Sequence, residues 1–143
     1  AEAYALWHDL VESRGDEMYW GIRSRFELAK KLTAIDAEAA HIGLKSIAAR
    51  YRARTAGFAA VVHPTCPRVA PPIADLQDDP KAYDEANLAI TRNTRLGNIM
   101  ETCGVTLPCQ GPGDLPVGLS LMAAGHSEGM VLRLAAAAES ALA

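Results

Sequence analysis

The sequence predicts an α/β fold with about five helices and three short strands, and three observations carry that reading. Apolar residues recur at three- and four-residue spacings along four stretches, and a start signal at Asp78-Asp79-Pro80 marks a fifth helix. Three short β-like runs are bounded by proline and glycine. Three strands are too few to form a sheet covered by five helices, so the pattern reads as part of an α/β sandwich. Strands from missing sequence or from another chain would complete it, because an open strand edge invites further pairing.

Residues 2–14 read as a helix ended by Arg14-Gly15, and Asp16 is placed to cap a second helix over about 17–31 with Met18, Ile22, Phe26 and Ala29 on one face. Thr33 and Asp36 form a capping-box-like start to a third helix with Ala40, Gly43, Leu44, Ile47 and Tyr51 in its apolar stripe. Residues 59–62 then form a short apolar strand that stops at Pro64-Thr65-Cys66-Pro67-Arg68-Val69-Ala70-Pro71-Pro72. Each proline fixes φ and removes a backbone donor, so this loop is rigid and walls something.

Asp78-Asp79-Pro80 starts a helix expected to reach about Cys103 and to bend at Gly97. Strands over 105–109 and 116–122 flank Gln110-Gly111-Pro112-Gly113-Asp114, a turn composition that favours an antiparallel pair. Ser127 caps a terminal helix with Val131, Leu134, Ala135, Ala138 and Leu142 as its apolar stripe. The organisation is therefore one segment over 1–143: helical to 55, strands with the proline loop and intervening helix over 56–124, and a terminal helix over 125–143.

The 143 residues, half of them hydrophobic, could bury one core. No apolar run is long enough to span a membrane, no signal peptide is recognisable, and the cytoplasm is the expected location. A net charge of −3 with interspersed signs argues against nucleic acid as a partner. Arg50, Arg52 and Arg54 fan over different helix faces and read as solvated surface. Three cysteines, Cys66, Cys103 and Cys109, without CxxC spacing fit reduced thiols. The chain begins at Ala1 already within a helical pattern and without a cap, which reads as a segment of something longer.

Metal binding finds no support in His8, His41, His63 and His126, which lie far apart in the chain. Gly111-Pro112-Gly113 lacks the lysine and the strand-to-helix context of a phosphate loop. Cys66 near His63 could suggest a thiolate pair, but the sequence supplies neither an oriented base nor an electropositive setting. None of the serines sits in a GxSxG elbow or a glycine- and serine-rich loop.

Taken in order, the proline loop, Asn98 to Cys109, Leu115 to Ala123 and Gly125-His126-Ser127-Glu128 running into Leu132-Arg133-Leu134-Ala135 resemble the C-terminal part of the amidase signature family. The resemblance spans nearly the whole chain, and Ser120 departs from it, since the family usually has glutamine there. It implies a mixed sheet covered by helices, and hydrolysis of a small carboxamide or related C–N bond without metal or cofactor. In the family a serine attacks, its proton leaving through a second serine held by a cis peptide bond to a neutral lysine. That triad has no counterpart here and would come from a complementary N-terminal segment, so the isolated chain should be inactive.

The resemblance makes Thr65 a pocket-wall candidate. In glutamine-using members, an arginine and an aspartate hold the substrate amino acid. Arg23 or Arg25 matches the former, with a surface ion pair as the competing role, and the latter falls on or near Thr91, which is no acid. The expected partners are the complementary segment and a small amide, with a homodimer left open. The alternative is a non-catalytic helical interaction subunit or module.

Overall fold

The computed structural model describes residues 2–142; the reading made at Ala1 lies outside them. In order come α1 (Glu2–Arg14), a 3-10 turn (Gly15–Glu17), α2 (Trp20–Ala29), α3 (Ala34–Thr55), β1 (Val61–Pro64), α4 (Ala74–Gln77), α5 (Pro80–Ile90), α6 (Arg92–Ile99), β2 (Thr102–Pro108), β3 (Gly118–Ala124) and α7 (Glu128–Leu142). The described chain is thus α/β, with seven α-helices and three strands. No helix among the described residues is long and apolar enough to cross a membrane. The chain divides into two compact units, one ending at Gly43 and the other starting at Leu44.

In the first unit, α1 meets α2 around the buried Val11. Polar contacts surround this packing: Lys30 Nζ lies 2.7 Å from Glu12 and 2.9 Å from Glu27, and the Tyr4 hydroxyl donates to Glu12 at 2.9 Å. Asp16 does not cap α2. Its carboxylate is taken by Arg23 instead, and α2 starts later, at Trp20, without a side-chain cap. Thr33 and Asp36 do form the expected reciprocal capping box at α3, with bonds of 3.0 and 3.1 Å between each side chain and the other's backbone N–H. The anticipated apolar stripe of α3 is not buried: Ile47 and Leu44 are exposed, and Ala48 is the residue that packs.

Several carboxylates of this unit titrate below their ordinary range. Glu12 is lowered first by the hydrogen bond from Lys30 and then by that from Tyr4, Glu17 by Arg14, and Asp36 by its bonds with Thr33. A lowered folded-state pKa gives stability that is present above the unfolded value and lost as pH falls through the folded one. Amides of α1 and α2 are therefore expected to lose hydrogen-exchange protection on acidification below the ordinary glutamate value of 4.5, before those of the sheet. The effect is modest, since these pairs face solvent. Protection in α1 and α2 that stays undiminished until the sheet itself opens in acid would rule this out.

The second unit is built on a three-stranded antiparallel sheet in the order β1-β3-β2. The Gln110–Asp114 turn gives the anticipated β2–β3 hairpin, with Thr106 opposite Ser120 and Leu107 opposite Leu119. β1 lies on the other side of β3, with His63 opposite Ser120. One face of the sheet is apolar. Leu107, Leu121 and Ala123 pack there against Val131 and Ala135 of α7, each large side chain contributing about 1.5–3 kcal/mol through burial. Leu142, expected in the α7 stripe, is exposed.

The helix anticipated over 80–103 is two helices. Asp79 caps the first as expected, accepting from Lys81 and Ala82 N–H at 2.9 and 3.0 Å, with Pro80 in the first turn. The break falls at Thr91, not Gly97: the Thr91 hydroxyl donates to the Asn87 carbonyl at 2.6 Å, and its backbone leaves regular helical geometry at φ −82°, ψ −1°. Gly97 serves packing instead. A Cβ there would stand 2.4 Å from the Met122 methyl carbon, so glycine lets α6 lie close on the sheet.

Candidate functional site

Side chains alternate across a strand, so the face opposite α7 carries His63 and Thr65 from the β1 segment, Ser120 and Met122 from β3, and Thr102, Gly104 and Thr106 from β2. Register brings three hydroxyls together on it. Thr65 Oγ1 lies 2.7 Å from Ser120 Oγ and donates to Thr106 Oγ1 at 3.2 Å, and Thr106 Oγ1 lies 3.0 Å from Ser120 Oγ. Each hydroxyl has one proton, so the arrangement closes as a ring in which Thr106 donates to Ser120 and Ser120 to Thr65. The ring uses all three protons and leaves only lone pairs to a further partner. It also satisfies Ser120, the one buried polar residue among those described.

Glycine makes room for this ring. Thr65 N–H donates to the Gly118 carbonyl at 2.7 Å, continuing the β1–β3 ladder past Pro64. A Cβ on Gly118 would stand 2.6 Å from Thr65 Oγ1 and 2.7 Å from Thr106 Cγ2. Gly118→Ala is accordingly expected to cost ~1–3 kcal/mol by forcing both threonines aside. Urea unfolding of a form that melts in one transition would read this as a lower midpoint at constant m. Gly43→Ala, where a Cβ meets nothing within 4 Å, serves as the control and is expected to stabilise its helix by ~1 kcal/mol. Equal midpoints for Gly118→Ala and the parent would contradict the tight fit.

Beside the ring, a cleft of about 550 Å³ opens between the proline loop and the ends of β2 and β3. Thr65, Arg68, Thr106, Gln110 and Val117 are among its lining residues, with prolines from three segments. Gln110 Oε1 accepts from Val117 N–H at 3.3 Å, so the amide group it has left to offer is its NH₂ donor. A smaller cavity of about 230 Å³, toward α6, is lined by His63, Thr94, Asn98 and the same three hydroxyls.

His63 does not pair with Cys66. Its Nδ1 donates to the Pro64 carbonyl at 2.8 Å, and that carbonyl also accepts from Asn93 Nδ2 at 2.7 Å, while Cys66 is exposed on the loop. Cys103 and Cys109 are likewise free and donate to the Ala124 and Val117 carbonyls. Among the described residues no three His, Cys, Asp or Glu side chains cluster as metal ligands.

Of the four pocket candidates, Thr65 lies in the ring and lines the cleft. Thr91 sits at the α5–α6 junction, bound to Asn87. Arg23 and Arg25 belong to the first unit, where Arg23 pairs with Asp16 and Glu27 and Arg25 is exposed. Thr106, Arg68 and Gln110 were not singled out from the sequence, although Thr102-Gly104-Thr106 carries the period-two signal of a polar strand face.

In comparisons with known proteins, no family model and no curated protein matches the chain. Among solved structures, the crystal structure of an amidase matches with a TM-score of 0.73 over 93% of this chain, at 19% sequence identity. This chain spans 31% of the length of that amidase. The likeness shows the fold: the seven helices and antiparallel sheet correspond to part of an amidase.

Proposed function

We propose that the chain is the C-terminal segment of an amidase-signature hydrolase that cleaves a small carboxamide or related C–N bond, with the serine, bridging serine and lysine outside this chain. The observation that carries the reading is the amidase fold likeness, which takes in nearly all of this chain but 31% of the neighbour. Two further features favour it. The sheet ends on β1 and β2 with no further strand among the described residues, and no large side chain among them is wholly buried. Phe58 and Ile73, at 73% and 81% exposure, have the character of surface awaiting a covering layer. In this reading the chain supplies a wall of the sheet and Thr65 part of the substrate pocket, and the complementary segment is its partner.

The test is co-expression with the complementary segment from the surrounding reading frame. The chain by itself should self-associate and melt broadly, while the pair should be monodisperse with one sharp transition. A sharp transition from a monomer of this chain alone would instead favour an interaction module.

A further inference from the structure

We propose that the cleft between the proline loop and the β2–β3 turn is a binding site for a small monocarboxylate with a compact apolar body. This goes beyond the hydrolase reading, in which Thr65 walls the amide pocket: the cleft beside Thr65 would hold a carboxylate of the ligand and not the amide that is cut. The cleft's 550 Å³ is within the range of about 300–1,000 Å³ of small-molecule sites. Its only charged lining residue is Arg68, which makes no ion pair among the described residues, and no aspartate or glutamate lines it. A guanidinium matches a carboxylate with two parallel N–H donors, and Gln110, another lining residue, has its Oε1 taken by Val117 N–H and keeps its NH₂ donors.

Five further lining residues, Pro67, Val69, Pro108, Pro116 and Val117, are apolar, and three of them are conformationally fixed prolines, which suits a ring or branched alkyl body. The hydroxyl ring offers acceptors only, so it does not compete for the anion. A cationic ligand would meet an uncompensated guanidinium, and a neutral amide would leave the guanidinium's fork unmatched.

Equilibrium dialysis against labelled benzoate, benzamide and benzylamine tests this on whichever form melts in one sharp transition, the 143-residue chain by itself or its co-expressed pair. Benzoate should bind most tightly and weaken as salt is raised. Arg68→Gln should lower benzoate affinity roughly tenfold and leave benzamide unchanged, Arg68→Lys should fall between, and Arg95→Gln, a change to an arginine outside the cleft lining, should have no effect. Arg68 lies on an exposed loop, and circular dichroism of each variant checks the fold directly. Absent benzoate uptake, equal uptake of benzoate and benzamide, an unchanged Arg68→Gln variant or an equal loss in Arg95→Gln would each overturn the assignment. Since benzoate has no amide to hydrolyse, failure here and failure of the amidase reading are separately visible.

Discussion

Incubated by itself with a panel of simple aliphatic and aryl amides, the chain is expected to give no hydrolysis above background. Acyl transfer needs a nucleophile, a base to take its proton and donors aimed at the developing oxyanion. Ser120 is the buried serine of the sheet, yet its neighbours are the Thr65 and Thr106 hydroxyls, neither of which is a base at neutral pH. His63 lies opposite Ser120 in register, but its Nδ1 is bonded to the Pro64 carbonyl and no bond joins it to Ser120 among those described. Cys66 is an exposed thiol without an oriented base.

Losing a nucleophile together with its base removes on the order of 10⁶ in kcat, leaving only binding and weak polarisation. The longer polypeptide or reconstituted pair should recover that factor toward its substrate. Turnover by the isolated chain that survives heat and contaminant controls, and that is lost in Ser120→Ala, would place a nucleophile within these 143 residues and overturn the proposal.

What could be read beforehand follows the range of the forces involved. The bounds of α1, the capping box at Thr33 and Asp36, the Asp79 cap and the β2–β3 hairpin are written in neighbouring residues, and the structure has them. Asp16 shows the limit of local signals: its sequence context suits a cap, but an arginine seven residues on takes the carboxylate. The break at Thr91 shows as a backbone ψ of −1° that no breaker residue marks, while Gly97, the more conspicuous breaker, stays within α6 beside the Met122 side chain.

The hydroxyl ring was illegible for a different reason. Its members come from three strand segments, and β1 joins β3 across more than fifty residues, so only the register puts Thr65 beside Ser120. The amidase resemblance marked Ser120 as a departure from the usual glutamine. The ring gives that serine a local structural use, as the only one of the three hydroxyls on the central strand.

In the reconstituted enzyme, free glutamine is expected to be a poor substrate, at least about a hundredfold below a neutral carboxamide of similar size in kcat/KM. Glutamine brings an α-ammonium into a partly desolvated pocket, and leaving one unpaired costs several kcal/mol, which converts to that factor or more. By the amidase-signature resemblance, the aspartate of glutamine-using members falls on or near Thr91, and Thr91 spends its hydroxyl on the Asn87 carbonyl. Within this chain, Asp84 and Glu85 of α5 are the substitute acids to weigh. Glu85 is a weak choice, since six residues place it across the helix from Thr91 and it lies 4.0 Å from Lys81. Asp84 is better placed: seven residues before Thr91 it shares that helix face, about 10 Å away along the axis. Steady-state comparison of glutamine with a neutral amide decides the matter. A preference for glutamine that disappears in Asp84→Asn would mean that this carboxylate holds the ammonium, and the expectation built on Thr91 would be wrong.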